Sequence, residues 1–241
     1  VSATPGPRPF ALEPEAGVRL VGDLLPGRSP GYLFLHGLGS VRQGEKSTSL
    51  MAHAAAVGRS CLRFDFRGHG ESSGEFGHAT ASELLADTLF VLERHGPCIV
   101  VGSSLGGLIG AHAAAARPDL VPALALLAPA LGFLARLESR VDAAGLLWTT
   151  EGRSFRLTER VLQDARRFDE RALPRRLSVP TFVVHGTADE VVPHALSERF
   201  HAELASPRKR LWIVPGGNHR LNLVAAEAWR RLDAFLAGAG E

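Results

Sequence analysis

Cysteine is scarce in this chain of 241 residues, with only Cys61 and Cys98. Two cysteines so placed, and no histidines at a zinc spacing beside them, do not build a metal site, so no metal is expected. Each opens an apolar run and reads as a buried strand residue, and the count alone leaves a disulfide open. Lysine is as rare: of 27 basic residues only Lys46 and Lys209 are lysines. The arginines are scattered among acidic residues, the formal charge is +2, and no basic block stands out, so no nucleic-acid partner is expected. No stretch approaches the roughly 20 apolar residues of a membrane span, and no membrane partner is expected. The segment from Val1 to Pro9 is proline-rich and lacks the apolar core of a secretory leader, but the chain does not begin with Met, so the compartment stays open with a cytoplasmic site as the default expectation. Internal repeats and low-complexity linkers are missing too.

What is present is a globular composition, 45% hydrophobic and 22% charged. A chain of this length buries a substantial core, and residues 1–241 are expected to form a single α/β domain. Short apolar runs alternate with helical patterns. The runs are Val18–Leu24, Tyr32–Leu35, Cys61–Phe66, Cys98–Gly102, Ala123–Leu127, Thr181–His185 and Arg210–Val214. The helical patterns are Lys46–Val57, Ala81–His95, Leu105–Ala116, Pro193–Leu204 and Leu221–Leu236. Residues 131–176 break the rhythm with arginine-rich amphipathic stretches and the cluster Leu146-Leu147-Trp148. Such alternation predicts a parallel sheet with helices on both faces, whose chemistry lies at the carboxyl ends of the strands.

Several reactive residues fall at those ends. Gly102-Ser103-Ser104-Leu105-Gly106 joins a strand to a helix and fits G-x-S-x-G with Ser104 central. The turn is tight enough that only glycine fits two residues to either side, and Gly107 and Gly110 let the helix lie close to the strands. Ser103 lacks the flanking glycines. A serine nucleophile needs a base. Of ten histidines, His219 follows the last strand in Pro215-Gly216-Gly217-Asn218-His219, a loop able to carry an imidazole back over the sheet. His69, His185 and His194 lie near strand ends but on no such loop. Asp189, after the Thr181–His185 strand, supplies the carboxylate and gives the chain order Ser, Asp, His; Glu190 is its nearest rival. Backbone N–H groups of Leu38, in His36-Gly37-Leu38-Gly39, and of Leu105 are the expected oxyanion donors. Asp65 reads as structural, paired with Arg67. Arg42 and Lys46 read as solvated loop charges, with contact to an acidic leaving group as the alternative.

Together, His36-Gly37-Leu38-Gly39, Asp65 through Ser72, the turn at Ser104, His185 through Asp189 and Gly217-Asn218-His219 resemble the α/β-hydrolase superfamily. The chain is most similar to small bacterial serine carboxylesterases, feruloyl or cinnamoyl esterases and acyl-protein thioesterases. The resemblance implies an eight-stranded, mostly parallel sheet with a short helical cap at about 131–176. It also implies that the strands of Cys61 and Cys98 flank the strand ending at His36. Two strand spacings, about 9–10 Å, are too far for a disulfide. Leu131, Phe133, Leu146, Leu147 and Trp148 are candidate walls of a substrate pocket under the cap. The implied activity is hydrolysis of a small-molecule ester or thioester with no cofactor. Other bonds, C–C or peptide, and a non-catalytic ligand-binding role stay open with the same residues. Nothing in the sequence sets an oligomeric state.

Overall fold

The computed structural model describes residues 6–149, 152 and 154–238. The first five residues of the proline-rich start, and Thr150, Glu151 and Arg153 within the expected cap, lie outside the described residues.

Strands form where β-branched and aromatic residues run together, and here they build one eight-stranded sheet. In chain order its strands are β1 (Arg8–Glu15), β2 (Val18–Leu25), β3 (Arg28–Leu35), β4 (Arg59–Phe64), β5 (Cys98–Ser103), β6 (Leu124–Leu127), β9 (Thr181–Gly186) and β10 (Lys209–Val214). Two further strands, β7 (Leu146–Trp148) and β8 (Ser154–Arg156), pair only with each other. The spatial order is β1-β2-β4-β3-β5-β6-β9-β10. Strand β2 runs antiparallel to both its neighbours, β1 and β4, and the six strands from β4 to β10 in the spatial order are parallel. The central strands are buried on both faces, which is why they read as unbroken apolar runs. Successive side chains point to opposite faces. Leu33 and Leu35 therefore join one core and Tyr32 and Phe34 the other.

Helices α1 (Glu45–Ala56) and α7 (Ala225–Ala237) cover the second face through Leu50, Met51, Trp229, Leu232 and Phe235. Each such burial contributes roughly 1.5–3 kcal/mol. Polar bolts fix the pair. Asp233 accepts hydrogen bonds from the Tyr32 hydroxyl and from His53 (2.8 Å), and Trp229 Nε1 donates to Ser49 Oγ at 3.0 Å. Helices α2 (Ala81–His95), α3 (Leu105–Ala116) and α6 (His194–Glu203) lie on the first face. Helix α2 opens on a capping box in which Thr80 and Glu83 satisfy each other's backbone N–H groups.

Strand β1 is an element the sequence pattern did not predict. Pro9 and Pro14 argue against a strand, yet this one lies at the sheet edge, where a missing N–H costs nothing. The cap is also richer than expected. Beside the short helices α4 (Glu159–Ala165) and α5 (Leu173–Arg176) it contains two 3₁₀ turns and the β7–β8 hairpin.

Cys61 and Cys98 are free and buried in opposite cores with β3 between them. Burial pushes both thiols up to about 12. Two expectations about charge are corrected. Asp65 does not pair with Arg67. It binds Arg42 through both the backbone N–H (2.6 Å) and the guanidinium, while Arg67 grips Asp87 at 2.6 and 2.7 Å and Glu15 at 2.9 Å. Arg42 is thus no solvated loop charge. It is 6% exposed and tied to Asp65, Asp23 and Glu71.

Candidate active site

The turn from β5 to α3 bends so sharply that Ser104 takes φ 53° and ψ −118°, a conformation strained for any residue with a Cβ. Close packing enforces it. A Cβ on Gly102 would lie 2.4 Å from the Gly106 carbonyl oxygen, and one on Gly106 would lie 2.2 Å from that of Leu35. The Ser104 carbonyl accepts from the N–H groups of Gly107 (3.0 Å), Leu108 (3.2 Å) and Ala130 (3.0 Å). The side chain is left standing above the sheet at the N-terminus of α3.

Ser104 Oγ donates to His219 Nε2 at 3.0 Å, and His219 Nδ1 donates to Asp189 Oδ2 at 2.8 Å. A carboxylate only accepts, so this arrangement fixes the proton on Nδ1 and leaves Nε2 basic toward the serine. The sequence separations are 115 and 30 residues, so only the fold brings these groups together. The loops after β9 and β10 meet where Gly186 and Gly217 touch. A Cβ on Gly186 would lie 2.0 Å from the Gly217 carbonyl oxygen.

Asp189 holds more partners than the sequence suggested. Its Oδ1 accepts from the N–H groups of Val191 (2.8 Å) and Val192 (2.9 Å), and its Oδ2 also accepts from His185 Nε2 at 2.9 Å. His185 is fully buried, and its Nδ1 accepts from Ser197 Oγ at 2.7 Å. Burial alone would raise the Asp189 pKa, but the hydrogen bonds from His185, His219 and Val192 outweigh it and hold the carboxyl well below the usual range. His185 was visible only as a strand-end histidine. Its one signal was the i, i+4 spacing to Asp189. Glu190, the rival acid, takes no part in these bonds.

The loop after β3 approaches the serine from the other side. Gly37 lies so close that a Cβ on it would sit 3.2 Å from Ser104 Cβ. The ring of His36 accepts from the Phe66 N–H at 3.0 Å and anchors the loop; burial beside His69 pushes it down to about 4. Leu38 follows, lining the space around Ser104 together with Leu105, the first residue of α3.

Two cavities meet at Ser104. One lies under the cap, about 70 Å³, and adjoins a mostly apolar one of about 50 Å³ through shared walls at Leu38, Leu105, Phe133 and Leu147. Trp148 also lines the first, at 57% exposure, held by its Nε1 donating to Asp142 Oδ2 at 2.9 Å. Leu131 and Leu146 are not brought there. Leu131 faces a groove on the far side of the cap, beside Glu170 and Phe200, and Leu146 pairs with Arg156 in the hairpin. The register of a three-residue strand decides which leucine turns inward, and the sequence gives no sign of it. The second cavity is polar, about 320 Å³, between the loop after His36 and the loop carrying His219.

A family model described as the alpha/beta hydrolase fold matches residues 33–167, more than half of the chain. The chain belongs to the alpha/beta-hydrolase family. A second family model, described as serine aminopeptidase S33, matches residues 146–223. Among curated relatives within the family's reach, the mouse protein named palmitoyl-protein thioesterase ABHD10, mitochondrial, is 30% identical over 212 residues, covering 82% of this chain and 71% of that protein. Its human counterpart is 31% identical over 212 residues, covering 82% and 69%. The solved alpha/beta hydrolase domain-containing protein 10 from mouse superposes with a TM-score of 0.82 at 25% identity, over 97% of this chain and all of that one. Est1E from Butyrivibrio proteoclasticus, solved with ferulic acid bound, shares the fold with a TM-score of 0.81 at 24% identity, over 95% and 99%. No helix among the described residues is long and apolar enough to cross a membrane.

Proposed function

We propose that the chain is a serine hydrolase that cleaves carboxylic esters, thioesters included, through an acyl-enzyme on Ser104. The observation that carries this reading is the unbroken path from Ser104 Oγ to His219 to Asp189, on a strained turn that lifts the hydroxyl above the sheet. His219 Nε2 takes the serine proton as Oγ attacks the carbonyl carbon. The N–H groups of Leu38 and Leu105 stabilise the oxyanion; Gly107 and Leu108 already bond back into the turn, whereas the first N–H of a helix has no intrahelical partner. His219 then gives its proton to the leaving oxygen or sulfur as the acyl–heteroatom bond breaks. Water then gives a proton to His219 as its oxygen attacks the acyl carbon, and the acyl–Oγ bond breaks as His219 returns that proton to Ser104 Oγ, releasing the acid. Asp189 holds the imidazole's tautomer and offsets its charge. The thioester arm draws support from the name of the curated relatives, and the small apolar space under the cap supports a short acyl group.

The test is hydrolysis of p-nitrophenyl esters from C2 to C12, and of the matching thioesters, by wild type and Ser104→Ala. Cleavage should peak at short chains and fall about 10⁶-fold in the variant. Activity within tenfold of wild type in Ser104→Ala would remove Ser104 from the role.

A further inference from the structure

The polar cavity on the side of Ser104 away from the cap has a chemistry of its own. The first turn of α1, Glu45 to Ser47, forms one wall. Gly44 sits at the N-cap and offers no side chain to cap the helix. The N–H groups of that turn therefore have no intrahelical partner, and the positive end of a twelve-residue helix meets the cavity. A second observation is independent of the helix. Ser47 also lines the cavity, is 1% exposed, and its Oγ has no hydrogen-bond partner among the described residues. Native structures rarely leave a buried hydroxyl unpaired unless a ligand or water completes it.

Charge narrows the ligand. Lys46 lines the cavity with its ammonium donating to the Arg220 carbonyl (2.6 Å) and to Asn222 Oδ1 (3.3 Å), and Arg220 lines it as well. One carboxylate, Glu45, opposes them, and it accepts a hydrogen bond from Asn222 Nδ2. Lys46, Arg220 and the helix N-terminus put positive charge on the wall of the cavity. Ser104 and His219 border the same space, so a ligand there abuts the reacting bond. The apolar space under the cap suits an acyl chain, which leaves this side for the other half of the substrate.

We infer that this cavity binds an oxyanion, carboxylate or phosphate, carried on the alcohol or thiol half of the substrate and held by the first-turn N–H groups of α1 and the Ser47 hydroxyl. Its assignment to the leaving group rests on Ser104 being the nucleophile; the binding chemistry does not.

Two readouts separate the two ideas. The first is calorimetric titration of the Ser104→Ala protein with free 3-hydroxypropanoate, 2-hydroxyethyl phosphate and neutral 1,3-propanediol. At least one anion should bind, the diol should not, and the stronger anion names the source. The second is the kcat/KM ratio of the butyrate esters of those anionic alcohols to that of propyl butyrate. Ser47→Ala should lower this ratio about tenfold or more, as for a lost hydrogen bond to a charged group. Lys46→Gln, at the cavity rim, should lower it as well and covers the case in which the Ser47 variant does not fold. Anion binding no tighter than diol binding, or a ratio within twofold of wild type in both variants, would overturn the subsite. Anion binding without cleavage of any ester would leave the subsite standing and remove the hydrolase reading instead.

Discussion

At the scale of single residues, Asp189 does the most with the least. Four N–H groups converge on its two oxygens, from Val191, Val192, His185 and His219. An amide in its place keeps the shape but turns one acceptor into a donor, so the imidazole of His219 loses its fixed tautomer. Asp189→Asn should therefore lower kcat for p-nitrophenyl butyrate about 10⁴-fold. A loss under tenfold in a folded variant would mean that another group orients the base. That Ser104, His219 and Asp189 come together could be anticipated because glycine spacing and loop position single them out. His185 was not. Whether a strand-end histidine turns inward onto a carboxylate depends on the loop's path, which no local pattern records. Arg42 failed in the same way: an arginine on a loop reads as solvated until the fold sets Asp23 and Asp65 around it.

At the scale of elements, the turn at Ser104 stores strain that glycine would relieve. Ser104→Ala keeps a Cβ at φ 53°, whereas Ser104→Gly does not. Strain of this kind costs about 1–3 kcal/mol, and the flexibility of glycine takes back about 0.5–1 kcal/mol. The glycine variant should thus be about 1 kcal/mol more stable than the alanine variant in urea unfolding, although both lack the Ser104 hydroxyl. Equal midpoints would mean that the turn is relaxed. In the cap, Leu147 separates the two small cavities. Leu147→Trp should fill them and shift p-nitrophenyl ester preference toward acetate, with the butyrate-to-acetate ratio falling about tenfold, as for a pocket that loses room for a methylene or two. An unchanged ratio would place the acyl chain elsewhere. Helices α2 and α3 matched their periodic patterns because their ends carry strong signals, Gly96-Pro97 after one and the glycine-flanked turn before the other. Strand β1 and the β7–β8 hairpin carried no comparable signal. One is a proline-bearing edge and the other is three residues long on each side, too short for alternation to show.

At the scale of the whole molecule, the burial of His112 bears on the response to acid. His112 lies on α3 with its ring edge-on to Phe168; burial, aided by the Arg176 charge, pushes it down to about 4. In the unfolded chain it titrates near 6.5. A histidine with a depressed folded pKa binds fewer protons when native, so stability rises with pH between about 4 and 6.5 and is lost as pH falls through that window. At pH 5 the loss from this one group is about 2 kcal/mol. His112→Leu should shrink the stability difference between pH 7.5 and pH 5 by that order, measured by urea unfolding at both. A difference as large as wild type's would show that His112 does not titrate with unfolding. The eight-stranded, mostly parallel sheet and the placing of β4 and β5 on either side of β3 were implied by the resemblance, and the helices on both faces by the alternation of strand and helix patterns. The packing that depresses His112 was not, since it depends on which loop closes over α3.

The clasp between α7 and the front of the sheet joins distant parts of the chain: Asp233 reaches Tyr32 and His53 across 201 and 180 residues. During synthesis β3 and α1 therefore wait with an open flank until residue 233 has left the ribosome. His219 emerges in that same stretch, 115 residues behind Ser104. The contact between Ser104 and His219 can therefore close only once the chain has been made 115 residues past Ser104, in the same stretch of synthesis that brings Asp233 to Tyr32 and His53.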